Sequence, residues 1–63
     1  MKIIKKAVKR DYYREEELLL VEKDNGIYAM ILNGNQVDEF GKEDIAEFYY
    51  KMFASMNGFV EEN

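Results

Sequence analysis

The chain has 63 residues, a net charge of −4, and no cysteine, histidine or proline. That length makes one domain, and the missing residue types exclude disulfides, thiolate or imidazole metal sites and His- or Cys-based catalysis. A chain this short hides only about 60% of the surface its unfolded form exposes, so with no disulfide or metal to support it, oligomerisation is the route left open.

Charge is unevenly spread. Six of the nine cations, Lys2, Lys5, Lys6, Lys9, Arg10 and Arg14, fall in the first fourteen residues against a single acid, Asp11. The other twelve acids follow with only Lys23, Lys42 and Lys51 against them. Such asymmetry marks either a binding surface or a basic strand lying beside acidic neighbours; the second is the simpler expectation.

Residues 2–9, KIIKKAVK, read as a strand because Ile and Val are β-formers and no N-cap precedes them. A helix is the alternative, with Ile4, Val8 and Tyr12 in line. Lysines along a strand also discourage stray edge pairing. RDYYREEE, residues 10–17, reads as a polar bend or an exposed strand extension. Residues 17–24 and 27–33 form two apolar strands around Asn25-Gly26, the strongest short hairpin signal, whose type I′ turn takes positive φ at both central residues. A two-residue turn there pairs Asp24 with Ile27, Glu22 with Ala29 and Leu20 with Ile31. Asn33-Gly34 turns the chain again into a strand over 36–40.

Residues 42–57 are predicted to be a helix. Ile45, Phe48, Tyr49, Met52, Phe53 and Met56 fall at i, i+3, i+4, i+7, i+8 and i+11, one stripe expected to lie on the sheet. Glu47, Tyr50, Lys51 and Ser55 then face away. Gly41 is the expected N-cap, and Glu43 and Asp44 suit the positive end of the helix dipole. Asn57-Gly58 stops the helix, with Phe59 folding back on Phe53 or Ala54. The fold class is α+β: a small antiparallel β-meander of three to four strands packed against one C-terminal amphipathic α-helix.

The expected register puts Leu19, Val21, Tyr28, Met30, Leu32 and Val37 on one face. Leu18, Leu20, Ala29 and Ile31 fall on the other, with Ile27 and Phe40 near its ends. Both faces are apolar, where a half-exposed sheet alternates with polar residues. One helix covers one face, so the other is expected to meet a second copy of the chain, first of all, or else the N-terminal segment if that is a helix, or a host protein. The candidate interface comprises Leu18, Leu20, Tyr28, Met30, Ile31, Leu32 and Tyr50.

No catalytic constellation stands out. Ser55 has no base beside it in sequence, and the acidic runs read as solvated charge. Asp24-Asn25-Gly26 and Asn33-Gly34-Asn35 lack calcium-loop spacing. No cofactor or metal is expected. Lys5, Lys6, Lys9, Arg10 and Arg14 with Tyr12 and Tyr13 form a candidate basic patch of the kind that binds single strands, a minor expectation in an acidic chain. Glu15, Glu16, Glu17, Asp38, Glu39, Glu43, Asp44 and Glu47 form a candidate acidic face that could imitate a phosphate backbone. No run is apolar enough for a membrane span, MKIIKKAVKR lacks the core of a signal peptide, and the expected compartment is the cytoplasm. The tiny, acidic, cysteine-free and tyrosine-rich profile is similar to small proteins of bacteriophages and mobile elements, including phage-borne inhibitors of host nucleic-acid enzymes. That resemblance is one of composition and transfers no residue roles.

Overall fold

The computed structural model describes residues 1–62. In chain order the elements are β1 (Lys2–Arg10), β2 (Glu15–Glu22), β3 (Tyr28–Leu32), β4 (Asn35–Phe40), α1 (Glu43–Met56) and β5 (Val60–Glu61). The strands form one antiparallel sheet in the order β4-β3-β2-β1-β5, and α1 packs across one face of it. The α+β architecture with a C-terminal helix is the expected one. The N-terminal segment is a strand, and it joins the sheet between β2 and β5. The two-residue strand β5, which sequence reading left out, pairs Ala7 with Glu61 and Val8 with Val60.

Two of the three hairpin connections owe their shape to local chemistry that the sequence announces. Asp11 holds the β1–β2 turn with one side-chain oxygen, which accepts the N–H groups of Tyr13 and Arg14, each at 2.9 Å. Asn33 and Gly34 both adopt positive φ, at 51° and 86°, and Leu32 pairs with Asn35, which makes the expected two-residue primed turn.

The first Asn-Gly behaves differently. The Gly26 N–H donates to the Lys23 carbonyl at 3.0 Å and the Lys23 N–H to the Ile27 carbonyl at 2.7 Å. Gly26 alone in this loop takes a positive φ, 80°. This is a three-residue loop with the glycine in the left-handed position, not a two-residue one. The pairing therefore moves by one residue: Glu22 meets Tyr28, Val21 meets Ala29, Leu20 meets Met30 and Leu18 meets Leu32. A one-residue slip exchanges the faces of one strand relative to the other. The expected face assignment is corrected accordingly. Leu18 and Leu20 share a face with Tyr28, Met30, Leu32 and Phe40, while Leu19 and Val21 share the other with Ala29 and Ile31. Irregularities at Ile4 in β1 and Val37 in β4 each shift the register once more.

The helix covers the first of these faces. The core consists of Ala7, Leu18, Leu20 and Met30 from the sheet and Ala46, Tyr50 and Ala54 from α1, flanked by Ile4, Tyr28, Leu32, Phe40, Phe53 and Phe59. Lys42, not Gly41, is the N-cap residue, and no side chain caps the helix there. The C-terminal stop forms as expected. Gly58 has φ 78°, the Phe59 N–H donates to the Ala54 carbonyl at 2.9 Å, and the Phe53 and Phe59 rings lie 6.2 Å apart. That stop aims the chain back along β1, where β5 forms.

Candidate functional site

The helix is seated on an unexpected side. Its apolar residues cover about two-thirds of its circumference at 3.6 residues per turn, so periodicity names an arc but not the part of it that is buried. The buried line is Ala46, Tyr50 and Ala54, spaced four apart. Two alanines let the helix backbone approach the sheet closely, and the Tyr50 ring fills the space between them over the core. The seat is fixed from both sides. Glu47 reaches Lys5 of β1 at 3.7 Å, while Tyr49 stacks on Phe40 of β4, centroids 5.5 Å apart and planes 11° from parallel. At the N-terminal end the Tyr28 hydroxyl donates to Glu43 at 3.3 Å.

The consequence is an apolar flank left facing solvent. Ile45, Phe48, Tyr49, Met52 and Met56 remain 41–78% exposed, Phe48 at 62% and Met56 at 78%. Five of the six residues in the stripe expected to be buried therefore form an exposed apolar surface; only Phe53 reaches the core margin. Phe48 and Tyr49 contact edge to face, centroids 5.4 Å apart, and the Tyr49–Phe40 stack joins the flank to β4. Val37, the bulged residue of β4, is also exposed.

The candidate interface residues are placed otherwise. Leu18, Leu20, Met30 and Tyr50 are inside the core, and Tyr28 and Leu32 pack at its margin. The first four are buried between the sheet and the chain's own helix. Ile31 lies on the opposite sheet face with Leu19, Val21 and Ala29. That second face was expected to be open and greasy, and this expectation is corrected too. Val8, Val21 and Ala29 on it are buried although no helix lies there. Ion-paired side chains ring them: Lys6 with Glu17 at 3.5 Å and with Glu62 at 3.4 Å, and Lys23 with Glu39 at 2.7 Å and the Gln36 side chain at 2.9 Å. Long side chains lay their aliphatic stems on apolar neighbours and keep their charged ends in water.

The same pairs resolve the charge asymmetry. In the candidate basic patch, Lys5 pairs with Glu47 and Glu61, Lys6 with Glu17 and Glu62, Arg10 with Glu15 and Glu62, and Arg14 with Glu16. Lys9 has no ion-pair partner among the described residues. Of the eight carboxylates in the candidate acidic face, Glu15, Glu16, Glu17, Glu39 and Glu47 are bound in such pairs. Glu43 accepts from Tyr28, and Asp44 accepts the N–H of its neighbour Ile45. Asp38 accepts its neighbour Glu39's N–H. The acids and bases interleave across β1, β2 and β5 instead of forming two opposed faces. The electrostatic consequences follow the geometry. Hydrogen bonding to Arg10, then to Lys6, holds the Glu62 carboxyl below its ordinary range, and Lys23 does the same for Glu39.

Two further features stand apart. Tyr12 and Tyr13, at the tip of the β1–β2 hairpin, are 99% and 96% exposed. The Tyr50 hydroxyl is buried with no hydrogen-bond partner, and loss of solvation pushes its ionisation up to about 12. Among the described residues no group of three or more acids is placed to hold a metal ion, and no helix is long and apolar enough to cross a membrane. An open groove of about 550 Å³ runs along β1 and β5, lined by Val8, Lys9, Arg10, Gly58, Val60, Glu61 and Glu62. The exposed flank could have been anticipated from the width of the helix's apolar arc and from Ala46 and Ala54 at its edge; nothing in the sequence signals the partnerless Tyr50 hydroxyl. Compared with protein-family models, curated proteins and solved structures, the chain matches none.

Proposed function

We propose that the chain is a non-enzymatic protein–protein interaction module that docks through the outer flank of α1. One observation carries this reading: five large apolar side chains at 41–78% exposure lie contiguously along one helix. A whole aromatic side chain presents roughly 200 Å², so these exposures amount to on the order of 500 Å², at the upper end of what a solitary domain leaves in water. Compensated charge around the sheet supports the same reading, because it leaves the helix flank as the surface with most to gain from being covered. A cysteine-free chain of this kind suits the cytoplasm.

The test is binding of an environment-sensitive dye such as anilinonaphthalene sulfonate to the native protein at high dilution. Fluorescence enhancement is expected, and Phe48→Ser with Met52→Ser should abolish it while the circular dichroism spectrum stays unchanged. A folded protein that binds no dye and associates with nothing at any concentration defeats the proposal.

A second reading rests on the hairpin tip. Tyr12 and Tyr13 stand clear of the fold beside Arg14, and exposed aromatics beside cations stack on single-stranded nucleic acid. Titration of the tyrosine fluorescence with an oligonucleotide at low salt decides it, and an unchanged signal ends it. The phosphate-mimicking reading draws less support, since five of the eight acids it needs are already paired within the chain.

A further inference from the structure

The α1 flank has a geometry that selects its partner. On the helical wheel, Glu47 and Lys51 fall on the side away from the middle of the exposed stripe and Asp44 lies at its edge, one turn before Phe48, which leaves no charge among Ile45, Phe48, Tyr49, Met52 and Met56 along a band three turns long. Such a band is complementary to another like itself. Its two ends differ in charge. Glu43 and Asp44 occupy the first turn, whereas the last turn has no basic residue, and Met56 is its largest exposed side chain.

We infer that the occupant of this flank is a second copy of the chain, with the two α1 helices packed antiparallel about a two-fold axis near Tyr49 and Met52. This rests on the reading of the flank as a docking surface. Two arguments choose the second copy and its direction. The first is area. On the order of 500 Å² of apolar flank per chain becomes about 1,000 Å² when two copies meet, which is the lower bound for a specific interface before the rim is counted. Phe40 of β4 lies at that rim, joined to the flank by the Phe40–Tyr49 stack. The second is charge. A parallel pair would bring the two acidic first turns together, with like charges and like dipole ends adjacent. The antiparallel pair sets each acidic turn beside the uncharged last turn of the other copy and places opposite dipole ends side by side. A two-fold axis also makes the contact closed, so that association stops at two.

The experiment is analytical ultracentrifugation of the full chain over a wide concentration range, followed by cross-linking. The mass is expected to rise two-fold from the 7.5 kDa of a single chain, and Phe48→Asp should hold it at one chain with an unchanged circular dichroism spectrum. The absence of native cysteine makes the direction readable. A Met52→Cys variant, close to the axis, should form a disulfide with itself on oxidation. Ile45→Cys and Met56→Cys should each fail to do so alone and should cross-link when mixed. Efficient self-cross-linking of Ile45→Cys and Met56→Cys separately would overturn the antiparallel arrangement. A dimer that survives Phe48→Asp would place the contact elsewhere. A chain that stays single yet binds the dye through this flank would refute the second copy and leave the docking reading standing, with a different protein as occupant.

Discussion

Lys23 and Ile27 close the first hairpin, the Lys23 N–H donating to the Ile27 carbonyl at 2.7 Å. That bond encloses three residues, and the odd loop sets Leu20 opposite Met30 instead of Ile31. The composition of the helix-facing side of the sheet follows from it. Leu18, Leu20, Tyr28, Met30, Leu32 and Phe40 gather on one face, which gives α1 a broad apolar floor and leaves a narrower aliphatic strip on the other.

Gly26 is the residue that permits this loop. At φ 80°, with nothing within 4 Å of where a Cβ would stand, Gly26→Ala meets no clash and suffers only the left-handed backbone penalty, about 1–2 kcal/mol. Gly41 is also unobstructed but lies outside the positive-φ region, so Gly41→Ala should be neutral or slightly stabilising. Urea midpoints of the two variants, measured side by side, check the contrast.

The two sides of α1 should respond to substitution in reverse of what residue size suggests. Ala46 is fully buried against the sheet, while Phe48 is 62% exposed. Ala46→Leu forces extra volume into the closest helix–sheet approach and should cost about 1–3 kcal/mol. Phe48→Ser should cost well under about 1 kcal/mol in the dilute single chain, within the range of surface changes. Chemical denaturation at low micromolar concentration separates these effects from any association.

Tyr50→Phe should stabilise the fold by about 1 kcal/mol, because it removes a buried hydroxyl that has no partner. Tyr50→Ala should cost about 3–5 kcal/mol through the cavity it leaves. The phenol also carries a pH signature. Its native ionisation lies at about 12, above the ordinary 10.0, so its neutral form is favoured by folding. The associated stability is whole below pH 10 and is lost as pH rises towards 12. Tyr50→Phe should flatten that alkaline decline, measurable as midpoint against pH.

Glu62 should shape the acid limb. Arg10 and Lys6 hold its carboxyl below the ordinary 4.5. Its contribution is therefore present above that value and is lost as pH falls through the lower native one. Glu62→Gln should make the acid decline shallower, and the difference from the parent should shrink in about 1 M salt, where exposed pairs are screened. An unchanged acid limb would mean that the Glu62 pairs contribute nothing in solution.

Asp11 gives a test of the β1–β2 turn. The Tyr13 and Arg14 N–H groups keep its carboxyl below the ordinary 3.8. Asp11→Asn retains an acceptor oxygen for both and should keep the turn, whereas Asp11→Ala should loosen it. Hydrogen exchange at Tyr13 and Arg14 should rise in the alanine variant alone.

Much of this fold is written locally. Asn33-Gly34 determines its own primed turn because only those residue types tolerate positive φ at both positions. Gly58 and Phe59 determine the helix stop for the same kind of reason, and the Ile, Val and Leu runs determine the strands. What the sequence left open were the matters settled between elements. Asn25-Gly26 suits a two-residue and a three-residue loop alike, and the structure takes the register that sets Leu18 and Leu20, instead of Leu19 and Val21, on the face of Met30 and Leu32 under α1. The helix's apolar arc was too wide to choose its own seat. Close approach to the sheet selected the small side chains of Ala46 and Ala54 around Tyr50, and the Lys5–Glu47 and Phe40–Tyr49 contacts held the helix there. Periodicity counts apolar residues, but a packed interface rewards fit, and that is why the larger side chains of α1 were left outside.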